Sequence, residues 1–168
     1  MTSPRYLHRA LILSACLMTL SSPVAASEQD AAATGVPYFT SQPIQDFQRT
    51  QPLARAGDAE AQYNLGLMYD LGHGVKASTS RAARWFTRAA LQGDTLAAYN
   101  LAVLYKETRQ SGMLDLTEAY KWAIVAEASG HEPSKALAGQ IQPLLGEEAI
   151  ADAQKRADHT LKLIGAQS

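Results

Sequence analysis

The chain has 168 residues, with 15 Lys and Arg set against 16 Asp and Glu, and a single cysteine. That length suits one domain, and a formal net charge of −1 leaves no basic stripe of the kind nucleic-acid binders carry. Abundant Ala, few strand formers and little Pro inside the periodic segments favour helix throughout, so the expected fold class is all-α.

The first 26 residues read as an address. Arg5, His8 and Arg9 form a positive start, LILSACLMTL (Leu11 to Leu20) an apolar run, and Val24-Ala25-Ala26 a small-residue cleavage site. This is the order of a secretory signal peptide, and the run is short of the roughly 20 apolar residues of a membrane span. Leu13-Ser14-Ala15-Cys16 also spells a lipobox, which gives a second route: lipidation at Cys16 and a membrane-anchored lipoprotein. The apolar run continues past Cys16, whereas a lipobox ordinarily closes it, so cleavage after Ala26 and a periplasmic or secreted chain is the expectation. Cleavage there removes the only cysteine, leaving a domain that must be stable by packing alone.

Residues 27–42 are small, polar and aperiodic, a flexible lead before the domain at 43–168. Pro43 fits the first turn of a helix, to which Ile44, Phe47, Pro52 and Leu53 lend an apolar side. Pro52 is expected to kink or restart it. Gly57 then suits a left-handed helix stop and Asp58 a cap for the next helix.

From Gly57 a stretch begins that returns at Gly93: GDAEAQYNLGLMYD becomes GDTLAAYNLAVLYK. A second motif also returns, with Ala82, Trp85, Ala89 and Gly93 answered by Ala119, Trp122, Ala126 and Gly130. Self-similarity at a period between about 20 and 50 residues marks a stacked repeat. Each unit, at 57–92 and 93–129, offers two helical patterns: Ala61, Leu65 and Met68 then Ala82, Trp85, Phe86 and Ala89 in the first, Ala97, Leu101 and Leu104 then Ala119, Trp122 and Ala126 in the second. Gly66 and Ala102, small at one repeat position, imply a closely packed neighbour. Gly72-His73-Gly74-Val75 ends a helix, with Val75 inserting between helices. Ser78 or Ser80 can cap the helix after it, and Asp115 with Glu118 spells a capping box. The loop at 108–114 lacks the Gly-x-Gly-Val turn. A degenerate third unit and cap (130–164) has His131 in place of the capping Asp, a helix shortened by Pro143, and a last helix from Glu147. The architecture is an α-solenoid of stacked antiparallel helix pairs closed by a C-terminal capping helix.

The motifs resemble the Sel1-like repeat, a relative of the tetratricopeptide repeat. Ala54, Gly57, Ala61, Leu65, Gly66 and Tyr69, then Gly72, Gly74 and Val75, then Ala82, Trp85, Ala89, Ala90 and Gly93 follow its pattern, although Glu127 replaces the second Ala of the pair in the second unit. The resemblance implies a non-enzymatic protein–protein contact module in the bacterial envelope. The alternatives are an assembly subunit without a peptide groove and an envelope enzyme acting on cell-wall material.

Chemistry is sparse. No nucleophile–base–orienter set appears. His73, His131 and His159 lie far apart and read as solvent-facing. No cofactor, metal or catalytic residue is expected. Trp85 and Trp122, with Tyr69 and Tyr105, read as core filling. The first helices of tetratricopeptide relatives line a concave groove, which makes Tyr63, Asn64, Leu67, Asp70, Tyr99, Asn100, Val103 and Lys106 the candidate partner-binding face. Asn64 and Asn100 have a second reading, as side chains that bond a neighbouring turn and set the stacking. The partner implied is a protein, mildly apolar and held with little dependence on salt.

Overall fold

The structure, a computed structural model, describes residues 39–107 and 115–166. The signal segment, Cys16, residues 27–38 and the 108–114 loop lie outside them. Among the described residues all regular structure is helical: α1 (Pro43–Ala56), α2 (Ala59–Leu71), α3 (Thr79–Leu91), α4 (Thr95–Glu107), α5 (Leu116–Ala128), α6 (Glu132–Ile141), a 3-10 turn (Gln142–Leu144) and α7 (Glu147–Gly165). Each helix from α1 to α6 packs on its neighbour in sequence, and α7 returns to lie along α5. This is the expected α-solenoid. No described helix is long and apolar enough to cross a membrane.

The caps explain why the helices start and stop where they do. Asp58 accepts from the Ala61 amide at 2.7 Å and Asp94 from the Ala97 amide at 2.8 Å, each satisfying an amide that the first turn leaves unpaired. Gly57 ends α1 in the left-handed region. Asp115 takes the Glu118 amide at 2.9 Å, but only half of the expected capping box forms. The Glu118 carboxylate turns instead to Lys121, 2.8 Å away, and to Arg156 of α7. Ser78 occupies the cap position of α3 without a capping hydrogen bond, since its hydroxyl meets Ser80.

The core is small-residue packing punctuated by large side chains. Ala82, Ala89, Ala97, Ala102, Ala119 and Ala126 are fully buried and let the helices approach. Leu65, Met68, Phe86, Leu101, Val125 and Ile141 fill the space between, each contributing about 1.5–3 kcal/mol by leaving water. The small residue at 66 has a definite cause: a Cβ there would land 2.5 Å from the Phe86 ring. Trp122 is 3% exposed and belongs to this core, whereas Trp85 is only partly buried, under the Arg88 guanidinium. The expectation that both tryptophans fill the core therefore holds in full for Trp122 and only in part for Trp85, which packs against the core at its edge beside the exposed arginines of α3.

The N-terminal end also departs from expectation. Helix α1 runs through Pro52 without a break. Pro52 and Gln48 are both exposed, so water can take the carbonyl left without an amide. Ile44 and Leu53 are exposed; α1 buries Asp46 and Ala54 and, of the expected apolar side, packs Phe47 partly buried against the core. Nor is the end of the lead free of the domain. Phe39 stacks on His73 with ring centroids 4.3 Å apart, and Asp46, 2% exposed, gathers the Thr40 amide (2.7 Å) and hydroxyl, Arg49 (3.0 Å) and His73 (3.1 Å). His73 is thus half-buried and paired, not solvent-facing. The turn that carries it is fitted to the start of α1, since a Cβ on Gly74, at φ +71, would collide with the Pro43 carbonyl.

Candidate protein-interaction face

Helices α2, α4 and α6 open the successive units, and side chains of α4 bridge to both neighbours. Asn100 donates to the Tyr63 hydroxyl at 3.4 Å. The Tyr99 ring lies 4.6 Å from that of His131, which sits at the start of α6, and Lys106 donates to Gln140 of α6 at 2.9 Å. The repeat register thus brings these positions together across units.

The eight candidate residues do not share one fate. Tyr63 is 9% exposed, its ring tilted against Phe86 at 5.9 Å. It is a core residue with its hydroxyl at the edge, so the expectation that it offers a free ring is corrected. Burial also pushes its hydroxyl above the ordinary tyrosine value. Asn64, Leu67, Tyr99, Asn100, Val103 and Lys106 are partly exposed, and Asp70 is exposed. Asn100 does the stacking work allowed for it, but on a tyrosine hydroxyl, not a turn. At the far end of the row Lys106 leans to Gln140 of α6. Partial desolvation first, and the Glu107 charge second, raise the Asp70 carboxyl above its usual value. Two acids therefore crowd that end.

Sequence reasoning missed His131 and Gln140 as members of this face. His131 was expected in solvent, yet it is half-buried, its Nδ1 2.8 Å from the Ser134 hydroxyl. The signal for it was positional, since His131 holds the place that Asp58 and Asp94 hold in the earlier units. On the opposite layer, Lys121 lies over the Trp122 ring at 4.2 Å. Burial lowers it to about 8, with the Asp115 charge working in the opposite direction. Among the described residues no group of His, Cys, Asp and Glu gathers that could hold a metal.

The comparisons with known proteins agree with this geometry. The profile of the Sel1 repeat matches residues 59–94 and 95–131. A sel1-like repeat-containing protein of Acanthamoeba polyphaga mimivirus is 40% identical over 52 residues, 31% of this chain and 10% of that protein. The crystal structure of a protective antigen present in uropathogenic Escherichia coli strains, displaying an SLR fold, superposes with a TM-score of 0.68 at 21% identity, over 77% of this chain and 28% of that one. This chain therefore spans a minor part of either relative, and the second likeness is one of fold. Sel1 repeats typically serve as non-enzymatic scaffolds for protein–protein contact. Residues 59–94 and 95–131 match the Sel1 repeat, and the structure stacks these two units as their register requires.

Proposed function

We propose that the protein is a non-enzymatic adaptor of the bacterial envelope that binds a segment of a partner protein along the α2–α4–α6 face. The observation that carries the reading is the continuity of that face: Asn100 meets Tyr63, Tyr99 meets His131 and Lys106 meets Gln140. These contacts fix the row's geometry before any partner arrives, which lowers the ordering cost of binding. Leu67, Val103 and the Tyr99 ring supply apolar contact and the half-exposed amides supply orientation. Asp70 beside Glu107 favours a partner that brings a basic group to that end, where it would relieve the crowding of like charge. The N-terminal address supports an envelope location, with release after Ala26 as the route and a Cys16-anchored lipoprotein as the alternative.

Photo-cross-linkers placed at Asn64 and Val103, with a control on the exposed Glu127 of α5, test the reading in envelope extract. A partner that cross-links from the first two positions and not from the third is the expected result. Replacing Tyr99 and Asn100 by Ala should then weaken that partner by more than about 1 kcal/mol, the threshold of a contributing interface residue. A variant that keeps its helical content and binds unchanged overturns the face.

A further inference from the structure

The second helix of the first unit carries a surface that the repeat does not use. On α3, Ala82, Ala83, Phe86, Ala89 and Ala90 are buried. At about 100° per residue, Arg81, Arg84 and Arg88 fall on the diametrically opposite side, with Trp85 at their flank toward the buried side. All three arginines are exposed. Helix α3 has no Asp or Glu, and no described carboxylate forms an ion pair with any of the three. In a chain of net charge −1 this is a local concentration of unpaired positive charge.

Two of the guanidiniums are held in place. Arg88 lies 4.4 Å from the Trp85 ring centroid and Arg81 5.4 Å from that of Tyr69. Ring stacking of this kind fixes a side chain that would otherwise sweep through solvent, so less freedom remains to be lost on binding. Arg84 has no ring or carboxylate partner among the described residues. The four side chains line a depression of about 160 Å³. Solubility alone would be served equally by lysine, or by charges of mixed sign. Three planar forks beside an indole are a receptor for planar anions, since a guanidinium pairs with a carboxylate through two parallel hydrogen bonds.

We propose that this outward face of α3 binds a short acidic segment of a second protein, one carboxylate entering the depression over Trp85 and its neighbours pairing with the flanking arginines. The surface runs about 10 Å along the helix, a reach that matches a few carboxylates on a peptide and is short for a track of nucleic-acid phosphates or a membrane. The net negative charge of the rest of the chain disfavours an extended polyanion and costs a short segment less. The site is independent of the α2–α4–α6 face, so the protein would hold two partners on opposite layers.

Binding of an oligoglutamate peptide to the full chain tests this, read by titration calorimetry and by Trp85 fluorescence in a Trp122→Phe background. Saturable binding is expected, with a change in Trp85 emission, and with affinity falling at least about tenfold when salt is raised beyond the range where exposed charges attract. Arg84→Glu with Arg88→Glu should lower affinity by at least about tenfold and leave the circular dichroism spectrum unchanged, because both side chains point to solvent. Tyr99→Ala should leave peptide affinity unchanged, which separates failure of this site from failure of the first-helix face. Absence of peptide binding, or binding that survives the double reversal, overturns the proposal. So does equal or tighter binding of an oligonucleotide of the same charge or of anionic phospholipid vesicles. Sedimentation showing a dimer that the double reversal dissociates would assign the face to a second copy of this chain and overturn it as well.

Discussion

Asp46 is the residue on which the N-terminal end of the structure turns. Burial alone would raise its carboxyl, but hydrogen bonds from His73 and from the Thr40 amide and hydroxyl, with the Arg49 charge, hold it below the ordinary 3.8. A carboxyl whose folded value is depressed stabilises the fold above its unfolded value and loses that contribution as pH falls through the folded one. Asp46 should therefore add stability that is complete above 3.8 and declines in more acid solution. Asp46→Asn is expected to cost about 1–3 kcal/mol near neutrality, the penalty for leaving buried donors poorly satisfied, and to flatten the acid limb of the melting profile. Thermal melts of both proteins across the acid range check this; parallel limbs would mean that the carboxylate is not the group responsible. Nothing local in the sequence announces this cluster, because His73 is 27 residues away from Asp46 and the lead's composition reads as solvent-borne. The caps at Asp58, Asp94 and Asp115 were legible for the opposite reason: each bonds an amide three residues on. Glu118 shows the boundary between the two cases, its cap partner close in sequence and its actual partner, Arg156, on another helix.

At the scale of the helix, periodicity alone reveals the apolar side and not how wide it is. The two tryptophans occupy one repeat position, and the sequence treats them alike. Yet α5 is covered on one side by α4 and α6 and on the other by α7, whereas the outward side of α3 is open arginine. The same residue is thus sealed in one unit and only partly buried in the other. Trp122→Ala should cost about 3–5 kcal/mol, the range for emptying a buried aromatic site, and Trp85→Ala distinctly less. Denaturant melts of the two variants measure the difference; equal losses would show that Trp85 carries a full core load despite its exposure. The candidate binding row was legible for the same reason and to the same limit. Register predicts that first-helix positions meet across units, as Asn100 and Tyr63 do, but the burial of Tyr63 depends on Phe86 entering past Gly66, which only the packed structure displays.

At the scale of the whole molecule the array is closed differently at its two ends. Neighbouring units stabilise each other through their interfaces, so an uncovered end loosens first. Helix α7 covers α5 at the C-terminal end by burying Ala153 and Ala157, and its Arg156 reaches the Glu118 carboxylate. Ending the chain before Glu147 should bare the α5 side and lower the melting midpoint by several degrees, with greater binding of a hydrophobic dye; an unchanged midpoint would show that α7 is an appendage. At the N-terminal end, Phe39 and Thr40 are clipped through His73 and Asp46 to the turn beyond α2. A load drawn on the N-terminus is therefore delivered past α1, into the connection between α2 and α3. Instead of peeling one turn at a time, the first two helices resist as a single mechanical block that holds until the clip yields and then gives way together.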